Sequence, residues 1–263
     1  MKRIANATLA ILLASLAGCF DNKAKPQDVS TVTNLVALAA LDAPARAALG
    51  RAVLRGTTEP LPSGFLAGLD ALVTLDISEC NLEDIPPEVF SLPRLREFYA
   101  SRNALKSVPD ALFAVPGLEY VNLDANLLSS IPDGIAAAKS LKWLRLNTNT
   151  ITSLPASLAE LKSLRRLYLR GNRLSAVPET IRELPELEAL LLDGNRSITT
   201  LPDWITALPS LRSIGLGATG IRKLPDDLEG WKNLDSLTLY DCPISQDERK
   251  RIRKALPDVA IVF

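Results

Sequence analysis

The stretch LRRLYLRGNRL, residues 164–174, decides the fold. Leu164, Leu167, Leu169 and Leu174 are core-type residues, yet Arg165, Arg166, Tyr168, Arg170 and Arg173 are interleaved with them. Strand side chains alternate with a period of two, so over residues 166–170 the leucines fall on one face and Arg166, Tyr168 and Arg170 on the other. The segment reads as a short strand with one buried and one displayed face.

Outward from it, the pattern L-x-x-L-x-L-x-x-N-x-L recurs. Its first leucine falls at Leu72, Leu95, Leu118, Leu141, Leu164, Leu187, Leu211 and Leu234, at intervals of 23 residues except for 24 between Leu187 and Leu211. The ninth position holds Cys80, Asn103, Asn126, Asn149, Asn172, Asn195, Thr219 and Cys242. The first seven units then run into a hydrophobic residue followed by proline, from Ile85-Pro86 to Leu224-Pro225, and Leu61-Pro62 is the tail of a partial unit before them. One such unit cannot bury its apolar face alone, and a stack of them can. The pattern resembles the leucine-rich repeat family, in its 23-residue form with L-P-x-x-I-x-x-L on the return side, over residues 61–244. The resemblance implies an α/β solenoid, a horseshoe with a parallel sheet on its concave side. The asparagine amides are expected to satisfy backbone groups where each strand turns away, a structural role. The extra residue in NRSITTLP, residues 195–202, predicts a local bulge over 196–200.

Both flanks read as caps. Residues 31–60 are expected to form a helical N-terminal cap, with Asp42 capping a second helix and Pro44 in its first turn. Residues 245–263 form the other: Ser245 and Glu248 make a capping box, a helix runs over 246–255, and VAIVF closes the sheet edge. The basic run at Arg249, Lys250, Arg251, Arg253 and Lys254 reads as the solvated face of that helix.

The N-terminus reads as an address. MKRIANATLAILLASLAGC has a positive start, an apolar run and Leu16-Ala17-Gly18-Cys19, in the order of a secretory signal. Its ending resembles the lipobox of bacterial lipoproteins. That resemblance implies removal of residues 1–18, a lipid on Cys19, and residues 19–30 as a tether. With Phe20 after the cysteine, it also implies the outer membrane of the bacterial envelope. Loss of Lys2 and Arg3 takes the charge from 30 − 30 to 28 − 30, or −2.

Composition excludes several classes of function. Basic and acidic residues number 30 each, so bulk charge does not favour nucleic acid as a partner. The chain has no histidine, the commonest general base and metal ligand. No nucleophile–base pair, glycine-rich phosphate loop or metal-ligand spacing appears, so neither catalysis, a cofactor nor a metal is expected. Asp76 and Asp124, two units apart or about 10 Å, match an inverting glycosidase only superficially. Cys80 and Cys242 lie seven units apart, roughly 34 Å, which is too far for a disulfide.

Three displayed columns remain. They gather all four tyrosines of the chain, with Trp143 and a cluster of arginines, mainly in units two to five. Tyr99, Tyr120, Asn122, Trp143, Arg145, Arg166, Tyr168 and Arg170 are the expected partner-binding residues, because Tyr, Trp and Arg dominate binding hot spots. Cross-strand ring packing with arginines stacked on the rings is the competing structural reading. Ala189, Gly215 and Gly217 thin the same columns over units six to eight, which favours recognition over a general need for bulk. The expected partner is a protein, met at a membrane reached through the lipid on Cys19. Envelope glycan or peptidoglycan fragments are the alternative.

Overall fold

A computed structural model of the 263-residue chain describes residues 31–57 and 60–263. The signal, Cys19 and the tether lie outside the described residues. Eleven strands form one open parallel sheet in chain order. They are β1 (Thr31–Val32), β2 (Arg51–Val53), β3 (Thr74–Asp76), β4 (Glu97–Tyr99), β5 (Tyr120–Asn122), β6 (Trp143–Arg145), β7 (Arg166–Tyr168), β8 (Ala189–Leu191), β9 (Ser213–Gly215), β10 (Ser236–Thr238) and β11 (Ala260–Val262). Each strand in the body of the array pairs with its counterpart one unit on, as in Trp143 opposite Arg166.

Proline shapes the return side. Pro86, Pro132, Pro155, Pro178 and Pro202 each precede a single 3-10 turn, and Pro109 precedes the short helix α3 (Asp110–Phe113). Its fixed φ and missing N–H suit the first position of a turn and exclude a central strand. Strands stack at about 4.8 Å, closer than helical turns can approach, so the coils splay on the return side and the sheet lines the concave face.

The core is the stack of pattern leucines. Leu164, Leu167 and Leu169 are fully buried, as are their counterparts Leu141, Leu144 and Leu146. One unit trades volumes: Phe98 takes a leucine position and Ala100, two residues on, takes the next, both buried. A large and a small side chain together keep the layer filled without strain.

The segment read as a helical cap holds two short helices, α1 (Leu35–Ala39) and α2 (Ala43–Ala48), and also contributes β1 and β2 to the sheet. Asp42 accepts a hydrogen bond from Ala45 N at 3.0 Å. Arg46 fastens α2 to the next coil: its guanidinium donates to the carbonyls of Leu38, Phe65 and Ala67. Behind β2 lies a full unit that the sequence pattern does not reveal. Leu49, Ala52 and Leu54 are buried in the three leucine positions, and Leu49 stands 23 residues before Leu72. Thr57 is its ladder residue, donating to Leu54 O at 2.7 Å, as Thr219 donates to Leu216 O at 2.7 Å.

The asparagine ladder links successive coils. Asn149 Oδ1 accepts from Leu128 N in the preceding coil at 3.0 Å, and its Nδ2 donates to Leu123 O at 3.0 Å and Leu146 O at 3.1 Å. Asn103, Asn126, Asn172 and Asn195 repeat these bonds. The two cysteines serve the same rail as donors: Cys80 Sγ lies 3.2 Å from Leu54 O and Cys242 Sγ 3.0 Å from Leu216 O. Both thiols are buried and free, and burial pushes the Cys80 thiol up from its ordinary pKa.

The inserted residue of unit six is absorbed in a tight turn at 196–197, after which Ile198 is again fully buried. Ile198 N donates to Asn195 O of its own turn at 3.0 Å. In units one to five that donor is met by the amide oxygen of the next asparagine. The insertion and the replacement of the next asparagine by Thr219 are thus two sides of one change.

At the far end, α4 (Gln246–Ala255) starts on Ser245, whose hydroxyl accepts from Glu248 N at 3.2 Å. Strand β11 pairs in parallel with β10. The basic side chains of α4 are partly committed: Arg251 donates to the carbonyls of Leu224, Pro225 and Asp226, and Arg249 and Arg253 both stack on Phe263.

Candidate binding face

The register fixes two rows on the concave face. The first runs Thr74, Glu97, Tyr120, Trp143, Arg166, Ala189. The second runs Asp76, Tyr99, Asn122, Arg145, Tyr168, Leu191. A third follows the strand ends with Ser101, Asp124, Asn147, Arg170 and Asp193. All eight sequence-expected residues lie on this one face: Arg170 is exposed, and the other seven are half-buried with their leucine neighbours beneath them.

The aromatic residues form a connected group. Tyr99 and Tyr120 have ring centroids 4.7 Å apart with planes tilted by 32°, and Tyr120 and Trp143 are 5.4 Å apart with a 60° tilt. The Arg166 guanidinium lies 4.4 Å from the Trp143 ring centre, and that of Arg145 lies 5.4 Å from the Tyr168 ring centre. Burial raises the pKa of the Tyr99 and Tyr120 hydroxyls, so both are neutral donors at physiological pH.

The arginines are not equivalent. Arg145 grips Asp124 with two bonds of 2.8 and 2.5 Å. Arg170 donates to Asp193 at 2.8 Å. Asp193 is only 3% exposed, and its other oxygen accepts from Gly217 N at 3.1 Å and Thr238 Oγ1 at 2.8 Å. Arg145 and Arg170 are therefore held by carboxylates one strand away, which limits their use for a ligand. Among the described residues Arg166 has no carboxylate partner, only the Trp143 ring. Asn122 is also committed, accepting from Asp124 N at 3.0 Å.

Trp143 stands apart from the other two tryptophans. Trp204 donates its indole N–H to Glu179 and Trp231 donates to Ile205 O, whereas Trp143 has no acceptor among the described residues. A partly exposed indole with a free donor can both pack against a partner and hydrogen-bond to it.

The thinning in unit seven has a local cause. A Cβ on residue 215 would stand 2.1 Å from Asp193 Oδ2, and one on residue 217 would stand 2.2 Å from the Tyr240 ring. Gly215 makes room for the Asp193 carboxylate and Gly217 for Tyr240. The glycines serve packing there and do not bear on whether the other columns recognise a partner. Asp124 and Asp193 are the residues that reading the columns undervalued: they belong to the face as its arginine holders. Their position one residue beyond a pattern leucine, Leu123 and Leu192, beside arginines one unit away, was the available signal.

Known proteins place this architecture. A leucine-rich repeat family model matches residues 70–128, 116–174 and 139–196. A comparison with curated proteins finds no match. Among solved structures, a leucine-rich repeat protein of Leptospira interrogans is 25% identical, with a TM-score of 0.54 over 82% of this chain and 72% of that one. An internalin from Listeria monocytogenes is 20% identical, with a TM-score of 0.69 over 88% of this chain and 64% of that one. A plant peptide hormone receptor, RGFR1, solved in complex with RGF2, is 21% identical, with a TM-score of 0.56 over 75% of this chain and 36% of that one. The matched repeats, the parallel sheet and the asparagine rail make the described body a leucine-rich repeat solenoid.

Proposed function

We propose that this protein is a binding module of the bacterial cell envelope, held at a membrane by a lipid on Cys19, that engages a protein partner through its concave face. Leucine-rich repeat domains are protein-interaction modules, which supports the general reading. The single observation that carries the choice of surface is the row Tyr120, Trp143 and Arg166, joined to Tyr99, on a half-exposed face. Large amphipathic side chains clustered on a rigid sheet give contact area at low entropic cost. Arg166 already covers a face of the Trp143 ring at 4.4 Å, which takes that face from a sugar and sets the glycan reading second.

The test is capture from envelope extracts with wild type and with the triple variant Tyr120→Ala/Trp143→Ala/Arg166→Ala, the fold checked by circular dichroism. Loss of a specific protein band in the folded variant supports the proposal. Unchanged capture overturns it, and lost binding to purified cell-wall fragments with protein capture retained supports glycan instead. For the anchor, Cys19→Ser is expected to move the protein from the membrane to the soluble fraction.

A further inference from the structure

The concave row is electrically polar. From β4 to β7 it reads Glu97, Tyr120, Trp143, Arg166, in a single register line. Its two ends carry opposite charges, and among the described residues neither has an ion-pair partner. The Glu97 carboxylate accepts from Thr74 Oγ1 at 3.0 Å and from the Tyr99 hydroxyl at 3.5 Å, both neutral donors. The Arg166 guanidinium rests on the Trp143 ring, which occupies its face and leaves its edge N–H groups unused. The contrast with Arg145 and Arg170 is direct, since each of those is already closed by an aspartate.

Three strand steps separate the two ends, about 14 Å. An extended chain covers that distance in roughly four residues. Within the row only Tyr120 and Trp143 lie between the ends; Tyr99, Asn122 and the Asp124-paired Arg145 flank them in the second row. Resting on the concave-face reading above, we infer that the row binds an extended peptide segment running across the strands. That segment carries a carboxylate over Arg166 and a cation over Glu97, about four residues apart, with apolar side chains between them on the rings. The free Trp143 N–H supplies a donor to its backbone. Charge complementarity at both ends also fixes its direction, because reversing the segment sets like charges against each other.

The experiment is selection from a random heptapeptide phage library against the full chain, read by sequencing. Enriched peptides are expected to hold an acidic residue and a Lys or Arg four positions apart, in one preferred order, around apolar residues. The double charge swap Glu97→Arg/Arg166→Glu is expected to select the opposite order. Arg166→Ala, which removes a partly exposed side chain from the rigid sheet, is expected to keep the basic preference, lose the acidic one, and bind a synthetic copy of the best wild-type peptide at least tenfold more weakly. Enriched peptides without the charge pair, an order unchanged by the swap, or no enrichment overturns the inference. If the triple alanine variant still loses its envelope partner in that case, the concave-face reading stands and only the polar peptide is rejected.

Discussion

The carboxylate of Asp193 fills the space over Gly215, where a Cβ would stand 2.1 Å from Oδ2. Arg170, Gly217 N and Thr238 hold that carboxylate in place, so it cannot swing aside cheaply. Gly215→Ala is expected to destabilise the fold by about 1–3 kcal/mol through overpacking. Combining it with Asp193→Ala should cost less than the sum of the two single changes. Urea denaturation of the four-member cycle measures the difference.

The asparagine rail makes a second prediction. Asn149→Ala leaves Leu128 N without its acceptor in a dry interior and takes one of two asparagine donors from each of Leu123 O and Leu146 O, which keep those of Asn126 and Asn172. Each unpaired buried group costs about 1–3 kcal/mol. Thr219→Ala, which removes a hydroxyl at the modified rung, is expected to cost less. Because coils contact only their neighbours, the Asn149 lesion should also broaden the unfolding transition.

The residue before each ladder position is left-handed in all eight pattern units, at Glu79, Arg102, Ala125, Thr148, Gly171, Gly194, Ala218 and Asp241. Only two of the eight are glycine, so the other units carry strain. Ala125→Gly is expected to raise stability by up to about 1 kcal/mol. Gly194→Ala should lower it, since the new Cβ would stand 3.2 Å from the Gly171 backbone in addition to the strain at φ +77°. Thermal melts of the two variants should therefore move in opposite directions.

Glu248 ties α4 to the last coil. It accepts from Arg251 and from Leu224 N, and its pKa is lowered, first by the Arg251 hydrogen bonds. A carboxylate whose folded pKa lies below its unfolded value, about 4.3, stabilises fully above that value and loses its contribution as pH falls through the folded one. Glu248→Gln is therefore expected to be less stable than wild type at pH 7, with a smaller gap at pH 3. Melting temperatures at the two pH values check the sign.

Much of this was legible in the sequence because the repeat is a physical necessity. A strand whose alternate residues are leucine, followed 23 residues later by another, can bury its face only by stacking. The register that groups Tyr99, Tyr120, Trp143 and Arg166 follows from that period alone. The unit at Leu49 was hidden because Ala52 replaces a leucine and Thr57 replaces the asparagine, so two of its defining letters are missing. The ion pairs of Arg145 with Asp124 and of Arg170 with Asp193 join residues 21 and 23 positions apart, and which arginine meets which acid depends on rotamers. The glycines were misread for the same reason: what sits over Gly217 is Tyr240, one coil further on.

The rail has a direction in time as well as in space. Each asparagine oxygen serves the coil before it, as Asn172 serves Ile151 N at 3.0 Å, so in units one to five each turn is finished by its successor. A nascent chain leaving the ribosome thus completes one coil only when the next has emerged, and folding trails synthesis by one unit. The coil that leads into α4 closes on itself instead, with Ile244 N donating to Cys242 O at 2.8 Å.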